Sequence, residues 1–456
     1  MTAVRCTEGK SHVAGCRPSP LGDGNMKSHV RDCLKLAYSV YKDACAHCAT
    51  EISLRDLNKI QSRVKQEGIS FLTITLPAFC RDFERSLDEG RIDPSTFRSF
   101  KKVGSIPVFL QGMIGRLFNR ETGRINDVEI SNSPNSSART IASVRQICLA
   151  FKKVELPCSP EREFKAMANF IAIERSFELF TLPREEIKRF SLVSSVLWDP
   201  IVGVIHLDDL VPRHGPGATS ERISGNQKFH WKYWHDRLEP FFPFIDNCYP
   251  ISSGGFCRDR NVVEDLTIIP EEEEIPVRVT PVPKDLRGPR IIAIEPCCNQ
   301  YTQQGIRDAL YRVIESSALT RGHVNFRDQK INQSLAISSS VDRLLATIDL
   351  SDASDRVPFD LALEMFRSNP DLQGAIEACR SKWAKMPFGP LIGPLRKFAS
   401  MGSALCFPVE AMYFFTIIVK ALLEAKNLPV TRQNCFSVSR LVYVYGDDII
   451  VPTEYV

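Results

Sequence analysis

Two short apolar runs near the C-terminus are separated by a glycine and two acidic residues. Residues 441–445 and 449–451 are rich in β-branched and aromatic side chains, and Gly446, Asp447 and Asp448 lie between them. This pattern predicts a tight β-hairpin that holds both acids at its tip. Because like charges repel, the pair favours a site for a hard divalent cation. The alternative is a solvated turn, and the residues upstream decide between the two.

A second apolar run, residues 346–351, predicts a buried strand that ends in an acid, Asp349. Small and polar residues then predict a turn into a helix over 361–366. An acid at the end of a central strand would lie beside the hairpin tip. Together with Asp447 and Asp448 it would hold two metal ions roughly 3.5–4 Å apart, as in sites for in-line displacement at phosphorus.

Two more acids follow Asp349 within a few residues. Asp355 lies past the predicted turn, where it is better placed to contact a ribose hydroxyl than to bind a metal. Asp352 is expected to be a solvated helix cap.

A glycine-containing loop, residues 400–410, precedes an apolar stretch over 411–423 that Lys420 interrupts. Loops of this kind often present backbone N–H groups and hydroxyls to a polar ligand. The apolar stretch is too short and too interrupted for a membrane span, so we expect a buried core helix.

Three cations precede another apolar strand, within residues 282–296. They are Lys284, Arg287 and Arg290. A triphosphate is well matched by the fork of an arginine and the point charge of a lysine. A charge run is usually a solvated surface. Here Pro and Gly constrain the loop, so we favour the phosphate-binding interpretation.

The order of these four segments resembles the palm and fingers of RNA-dependent RNA polymerases, and more narrowly the replicase subunit of single-stranded RNA bacteriophages. The resemblance is closest over residues 282–451, and its motifs are residues 292–296, 328–333, 346–351, 353–355, 400–402 and 444–448. A weaker similarity lies at residues 214–219.

The resemblance implies an α+β fold of the right-hand polymerase type. We expect a disordered tail over 1–29, a helical N-terminal and fingers region over 30–200, further fingers over 201–340, and an antiparallel-sheet palm over 341–456. Because the hairpin lies so close to Val456, we also expect an incomplete palm, an absent thumb and a truncated coding sequence.

The resemblance also implies roles for individual residues. Two Mg²⁺ ions, for which Mn²⁺ would substitute, would be held by Asp349, Asp447 and Asp448. The incoming nucleotide would be bound by Lys284, Arg287, Arg290, Asp355, Ser400, Gly402 and Ser403. A 3′-hydroxyl would attack the α-phosphate of a ribonucleoside triphosphate and release pyrophosphate, with catalysis by positioning and charge neutralisation.

The implied partners are RNA template and product, ribonucleoside triphosphates, host translation elongation factors Tu and Ts and a host ribosomal protein. No membrane is implied, and the location would be the cytoplasm of an infected bacterium. Two alternatives stay open. One is a reverse transcriptase-like polymerase, although the small residues after Asp349 favour a ribose hydroxyl. The other is a non-catalytic RNA-binding remnant.

Two positions depart from the family pattern. Ser403 and Ala404 replace a frequent Asn-Gly, and Cys406 replaces a usual threonine. Cysteine is a weak hydrogen-bond partner, which weakens the expected ribose contact. Glu410 agrees with the phage group.

Composition adds little. A net charge of +4 requires local patches for nucleic-acid binding. One candidate mixes cations and aromatics, namely Lys228, Trp231, Lys232, Trp234 and Arg237. The alternative is an amphipathic helix with its aromatics in the core. The 15 cysteines have no disulfide framework, so we expect reduced thiols, including buried ones at Cys45 and Cys48 rather than a zinc site.

Overall fold

The computed structural model describes residues 23–126, 133–248 and 266–456. These residues form two compact units. The first contains residues up to 159 together with residues 283–288, and the second contains residues 160–282 and 289–456.

The first unit is mainly helical. Its helices are α1 Asp23–His47, α2 Leu54–Glu67, α3 Leu76–Asp88, α4 Gln111–Leu117 and α5 Pro134–Leu149. A π-helical turn, Phe71–Thr75, leads into α3, and the short strands β1 Lys102–Val103 and β2 Ile106–Pro107 pair antiparallel. Phenylalanine rings fill the core between the helices; the ring centroids of Phe79 and Phe100 are 4.7 Å apart.

Helices also dominate the second unit. They are α6 Pro160–Leu179, α7 Arg184–Val202, α8 Phe244–Cys248, α9 Cys297–Ser316, α10 Lys330–Asp342, α11 Phe359–Glu364, α12 Pro370–Ala378, α13 Cys406–Ala425 and α14 Arg432–Ser439. Asn369 and Thr431 cap α12 and α14 by accepting a hydrogen bond from a backbone N–H of the first turn.

Three small sheets accompany these helices. The strands β3 Tyr233–His235 and β4 Thr267–Ile269 pair in parallel. A four-stranded sheet has the order β6-β5-β8-β9, made of β5 Val277–Asp285, β6 Gly288–Ile294, β8 Ala384–Lys385 and β9 Leu391–Ile392. A three-stranded antiparallel sheet has the order β10-β11-β7, made of β7 Leu345–Ile348, β10 Tyr443–Tyr445 and β11 Asp448–Pro452.

Helix α13 lies at the centre of the second unit. It has the length and apolar composition of a membrane span, but 72% of its most apolar window is buried inside the protein. Trp198 of α7 packs against it and donates a 2.7 Å hydrogen bond from its indole N–H to the Thr416 hydroxyl. The predicted core helix over 411–423 is therefore confirmed, with a start at Cys406.

Some predicted boundaries differ from the structure. Helix α1 begins at Asp23, inside the tail expected to be disordered over 1–29, so that expectation is wrong from residue 23 onward. Residues 1–22 lie outside the described residues. The predicted boundary at residue 200 falls within helix α7, whereas the two units divide after residue 159. Mixed helix and sheet content confirms the α+β class.

Candidate active site

The predicted hairpin is formed by β10 and β11. Tyr445 pairs with Asp448, so Gly446 and Asp447 are the two turn residues. Gly446 has φ +63°, and a Cβ placed on it would lie 2.1 Å from the Phe407 ring of α13. Only glycine fits this close approach in a left-handed conformation. The expectation that both acids lie in the turn is corrected for Asp448, which is the first residue of β11.

Asp349 reaches the hairpin through the register of the central strand. β11 pairs with β7, and Ile449 lies opposite Ile348. Asp349 directly follows β7, so continuation of this register places it across from Asp448. The strand itself is half-exposed and not buried as predicted. The sequence-predicted acids of two distant segments therefore meet at one end of one sheet.

Charge is concentrated at this end of the sheet. Partial burial, followed by the negative charges of Asp448 and Asp349, raises the pKa of Asp447 above its ordinary value, and Arg290 opposes the rise. The charges of Asp349 and Asp448 thus act on Asp447, although all three side chains reach solvent. Mutual repulsion of this kind is relieved by a bound cation.

The carboxylate oxygens have the donor chemistry that Mg²⁺ prefers. Within the described ranges, however, no three Asp, Glu, His or Cys side chains are gathered closely enough to ligate one ion. One reason is visible at Asp448. Its Oδ2 accepts a 2.7 Å hydrogen bond from the Gln329 side-chain amide, which turns it toward α10. Its backbone carbonyl accepts another, of 3.1 Å, from Asn332.

A cavity of about 250 Å³ lies along this side of the sheet. Its wall is formed by α10, by the end of β7 and by β11, including Gln333, Ala336, Asp349 and Asp448. The neutral side-chain amide of Gln329 lies beside Asp448 and also lines this cavity.

The predicted ribose contacts come together around Asp355. Its Oδ1 accepts a 2.7 Å hydrogen bond from the Ser400 hydroxyl and a 2.9 Å bond from the Lys397 ammonium. Ser400 is 6% exposed and Lys397 is fully buried. Asp352, expected to be a solvated helix cap, is exposed and stands at the N-cap position of the 3₁₀ helix Ala353–Arg356. Its side chain makes no capping bond there and accepts a 3.2 Å hydrogen bond from the Asn169 side chain.

The glycine loop lies against β6. Its Met401 carbonyl accepts a 2.8 Å hydrogen bond from the Ala293 N–H. Gly402 has φ +128°, and a Cβ there would approach the Ala293 carbonyl oxygen to 2.1 Å. Beside it, Ser403 donates to the Gln303 side-chain oxygen at 3.1 Å, and Ala404 N–H donates to the same oxygen at 3.0 Å. The loop is therefore held by α9 and β6 together.

Behind the loop lies a buried polar cluster. Ser381 donates a 2.5 Å hydrogen bond to the Glu295 carboxyl, and Asn299 donates to Ser381 at 3.0 Å. Burial raises the pKa of Glu295 to about 7. Gln303 links this cluster to the loop, because its side chain also hydrogen-bonds the Glu295 carboxyl. Its amide donates a further bond of 2.8 Å to the Cys379 carbonyl.

Glu410 is a buried carboxyl close to the acids. Burial, and then the charges of Asp447 and Asp355, raise its pKa to about 8. The Cys406 thiol, one helical turn before it, lies 3.8 Å from its Oε2. Glu410 therefore adds no full negative charge to the site at neutral pH.

The three predicted phosphate contacts differ in their surroundings. Arg290, on β6, is exposed and acts on Asp447, and it makes no ion pair within the described parts of the chain. Arg287 instead pairs with Asp285, at 2.6 Å. Lys284 is exposed. Both Lys284 and Arg287 belong to the segment grouped with the first unit.

The proposed RNA-binding patch is corrected. Trp234 and Trp231 are buried in the core at 0% and 6% exposure, and Lys228 is buried with its ammonium 2.6 Å from the Gly215 carbonyl. Arg237 forms two 2.6 Å hydrogen bonds with the Glu274 carboxylate. Of the five residues only Lys232 is exposed. The two tryptophans are core residues, as the alternative held, but they do not lie on a helix: Trp234 is on β3 and Trp231 is on the irregular segment before it.

The patch also contacts the segment of weaker similarity, residues 214–219. The buried Lys228 donates to the carbonyls of Gly215 and Gly217, and so holds this loop. Cys45 and Cys48 are buried thiols, as expected.

Several site residues escaped the sequence analysis, namely Glu174, Gln303, Gln329 and Lys397. Lys397 stands between Arg396 and Phe398, so its neighbours give no clear signal of a buried cation. Gln329 lies in the motif at residues 328–333, but its contact with Asp448 has no sequence signal, and neither has the contact of Gln303 with the loop, because the partners are distant in the chain.

Comparison with known proteins gives a consistent family. Residues 270–456 match the model of the family described as RNA replicase, beta-chain. The chain is 35% identical over 173 residues to the RNA-directed RNA polymerase subunit beta of Qbeta virus (strain MX1). The matched stretch covers 38% of this chain and 26% of that protein. It is 34% identical over 173 residues to the beta chain of Escherichia phage MS2, covering 38% and 28% respectively.

A longer match of 33% identity over 244 residues is made to the subunit beta of Enterobacteria phage SP, covering 53% of this chain and 38% of that protein. The matches thus span about a quarter to two-fifths of the length of these relatives. The resemblance indicated by the motifs is confirmed: residues 270–456 match the family described as RNA replicase, beta-chain, and the similar proteins are RNA-directed RNA polymerase subunits of Qbeta virus and of the phages MS2 and SP.

Proposed function

We propose that this chain carries the nucleotide-addition site of an RNA-directed RNA polymerase that copies an RNA phage genome. One observation carries the proposal. Adjacent antiparallel strands bring Asp349 to the Asp447–Asp448 pair, and the positive charge of Arg290 opposes their repulsion on Asp447. A site that concentrates negative charge and leaves a cation exposed nearby suits metal-bound triphosphate.

The right-hand layout belongs to the same proposal. The three-stranded antiparallel sheet would be the palm, and the sheet that contains Arg290 would belong to the fingers. The family match over residues 270–456 supports this assignment, since it includes both sheets' catalytic segments.

The residues would divide the work of nucleotide addition. Asp349, Asp447 and Asp448 would hold two Mg²⁺ ions, which when bound would activate the 3′-hydroxyl and stabilise the charge on the leaving pyrophosphate. Arg290 would bind the triphosphate through charge-assisted hydrogen bonds.

Substrate choice would rest on Asp355. Its Oδ1 is occupied by Ser400 and Lys397, and its Oδ2 accepts no hydrogen bond from the described residues. That free oxygen would accept a hydrogen bond from the 2′-hydroxyl of a ribonucleotide. The small residues between Asp349 and Asp355 leave room for this hydroxyl, which favours an RNA polymerase over a reverse transcriptase.

The test is single-nucleotide addition to an RNA primer annealed to an RNA template, with Mg²⁺. We expect the chain to add the templated ribonucleotide and to add its deoxy counterpart much more slowly. Equal or preferred deoxynucleotide addition would support the reverse transcriptase-like alternative. Tight RNA binding without any addition would support the non-catalytic alternative, and either result would contradict the proposal.

Partners and location follow from the same proposal. RNA template, RNA product and ribonucleoside triphosphates would bind at the site, in the cytoplasm of an infected bacterium. Elongation factors Tu and Ts and a host ribosomal protein stay predictions, for which co-purification of the tagged chain from host lysate is the measurement.

A further inference from the structure

Lys397 is a fully buried lysine that faces two carboxylates. Its Nζ lies 2.9 Å from Asp355 Oδ1 and 4.0 Å from Glu174 Oε2, and the side chains of Lys397, Asp355 and Glu174 are 0%, 13% and 8% exposed. The same ammonium lies 3.4 Å from the centroid of the Phe170 ring. A buried cation is tolerated only with such partners, because desolvation of an unpaired charge is costly.

The ion pair fixes one oxygen of Asp355 and not the other. Lys397 and Ser400, three residues apart in the same chain segment, both donate to Oδ1. Two donors on one oxygen set the rotation of the carboxylate about its last bond. Oδ2, which receives no donor among the described residues, is thereby left as a charged acceptor.

Helix α6 contacts Lys397 through two side chains. Phe170 and Glu174 come from this helix, and Glu174 also accepts a hydrogen bond from the Arg396 backbone N–H. Asn169, on the same helix, donates to Asp352, three residues before Asp355. The helix therefore contacts the chain both just before Asp355 and just before Ser400.

We propose that Lys397 is a positioning residue for sugar discrimination: it holds Asp355 Oδ1 so that Oδ2 points to the nucleotide's 2′-hydroxyl. The proposal rests on the proposed function, because it assigns Asp355 to the ribose. Lys397 itself, being sealed from solvent, contacts no substrate. Its effect on sugar choice passes through the carboxylate.

A purely structural lysine would behave differently. Its loss would lower the stability of the fold, or would lower the affinity for all nucleotides alike. A positioning lysine affects the affinity for ATP and spares the affinity for dATP, which lacks the 2′-hydroxyl. The ratio of the two affinities is therefore the informative quantity.

The experiment is calorimetric titration of the 456-residue chain with Mg-ATP and Mg-dATP. For the wild type we expect ATP to bind about tenfold more tightly, as for a hydrogen bond to a charged group. In Lys397→Met the ratio should fall to within about twofold of one, with dATP affinity retained. Lys420→Met is the matched control: Lys420 is also largely buried and pairs with Glu186 at 2.6 Å, outside the site.

A wild-type ratio in Lys397→Met, in a protein that binds dATP normally, would overturn the proposal. If tryptophan fluorescence shows that this variant is unfolded, Ser400→Ala decides. That change removes only the hydroxyl donor to the same Oδ1, so the ratio should fall part of the way, and an unchanged ratio would refute the positioning of Oδ1. A wild type that binds neither nucleotide, or both equally, would count against the proposed function itself.

Discussion

Gly446 gives the sharpest prediction about the hairpin that holds Asp447. Gly446→Ala would place a methyl group 2.1 Å from Phe407 Cε2 and 2.7 Å from Cδ2. The ring cannot rotate away freely, because it packs against Tyr445 with centroids 5.2 Å apart and against Phe326 at 6.0 Å. The hairpin or the ring must therefore move.

Two costs add at this position. An alanine in the left-handed conformation costs roughly 1–2 kcal/mol. Forcing a methyl into a packed contact costs roughly 1–3 kcal/mol more. Gly322→Ala is the matched control, since Gly322 has φ +78° in the same unit but no atom within 4 Å of an added Cβ. Gly322→Ala should lower the free energy of unfolding only by the cost of the left-handed conformation.

Urea unfolding followed by tryptophan fluorescence measures this difference. All 4 tryptophans, at positions 198, 231, 234 and 383, lie in the second unit, so the signal reports the unit that contains the hairpin. Phe407→Ala in the Gly446→Ala background should recover the contact contribution. Equal unfolding free energies for Gly446→Ala and Gly322→Ala would refute the close approach to Phe407.

Three further predictions concern the surroundings of the site. The pKa of Glu295 is about 7 in the folded chain, whereas its ordinary value is 4.5. As the pH rises, the unfolded chain therefore loses this proton before the folded chain does. The free energy of unfolding should fall between about pH 4.5 and pH 7. Glu295→Gln should remove up to ~1.4 kcal/mol per pH unit of this slope, and an unchanged slope in urea unfolding would contradict the buried carboxyl. Gln303→Met should weaken ATP binding about tenfold in calorimetry by releasing the glycine loop, whereas Gln300→Met on the same helix should not, and equal effects would argue against a specific clamp. Arg290→Ala should weaken ATP binding roughly 10- to 100-fold, as for a lost charge-assisted hydrogen bond, whereas the exposed Arg367→Ala should leave it unchanged; equal binding by both would remove Arg290 from the triphosphate site.

The sequence predicts the local elements of the site well. Alternating β-branched and aromatic residues indicate the hairpin, and Asp349 after an apolar run indicates the strand end. The register that brings these acids together is not fixed by alternation, because three successive residues of β11, Ile449, Ile450 and Val451, are buried. The core helix α13 is likewise predicted from its apolar composition alone.

The contacts of neutral and buried polar groups are not predictable in the same way. Gln303 lies 100 positions before the loop it holds, and Glu174 lies more than 200 positions before Lys397. The basic-aromatic segment at 228–237 is predicted to bind RNA, but its lysine Lys228 and its two tryptophans are buried. Cations interleaved with aromatics are typical both of RNA-binding surfaces and of a core with paired charges, and only burial distinguishes the two.

The central claim is that Asp349, Asp447 and Asp448 form one metal site for nucleotide addition. Titration of the chain with Mn²⁺ in the presence of ATP, followed by electron paramagnetic resonance, tests it most directly. We predict metal binding that Asp447→Asn weakens strongly, together with loss of nucleotide addition and unchanged RNA binding. Asp371→Asn, on an exposed helix start, is the control. Wild-type metal binding and nucleotide addition in Asp447→Asn would contradict the account.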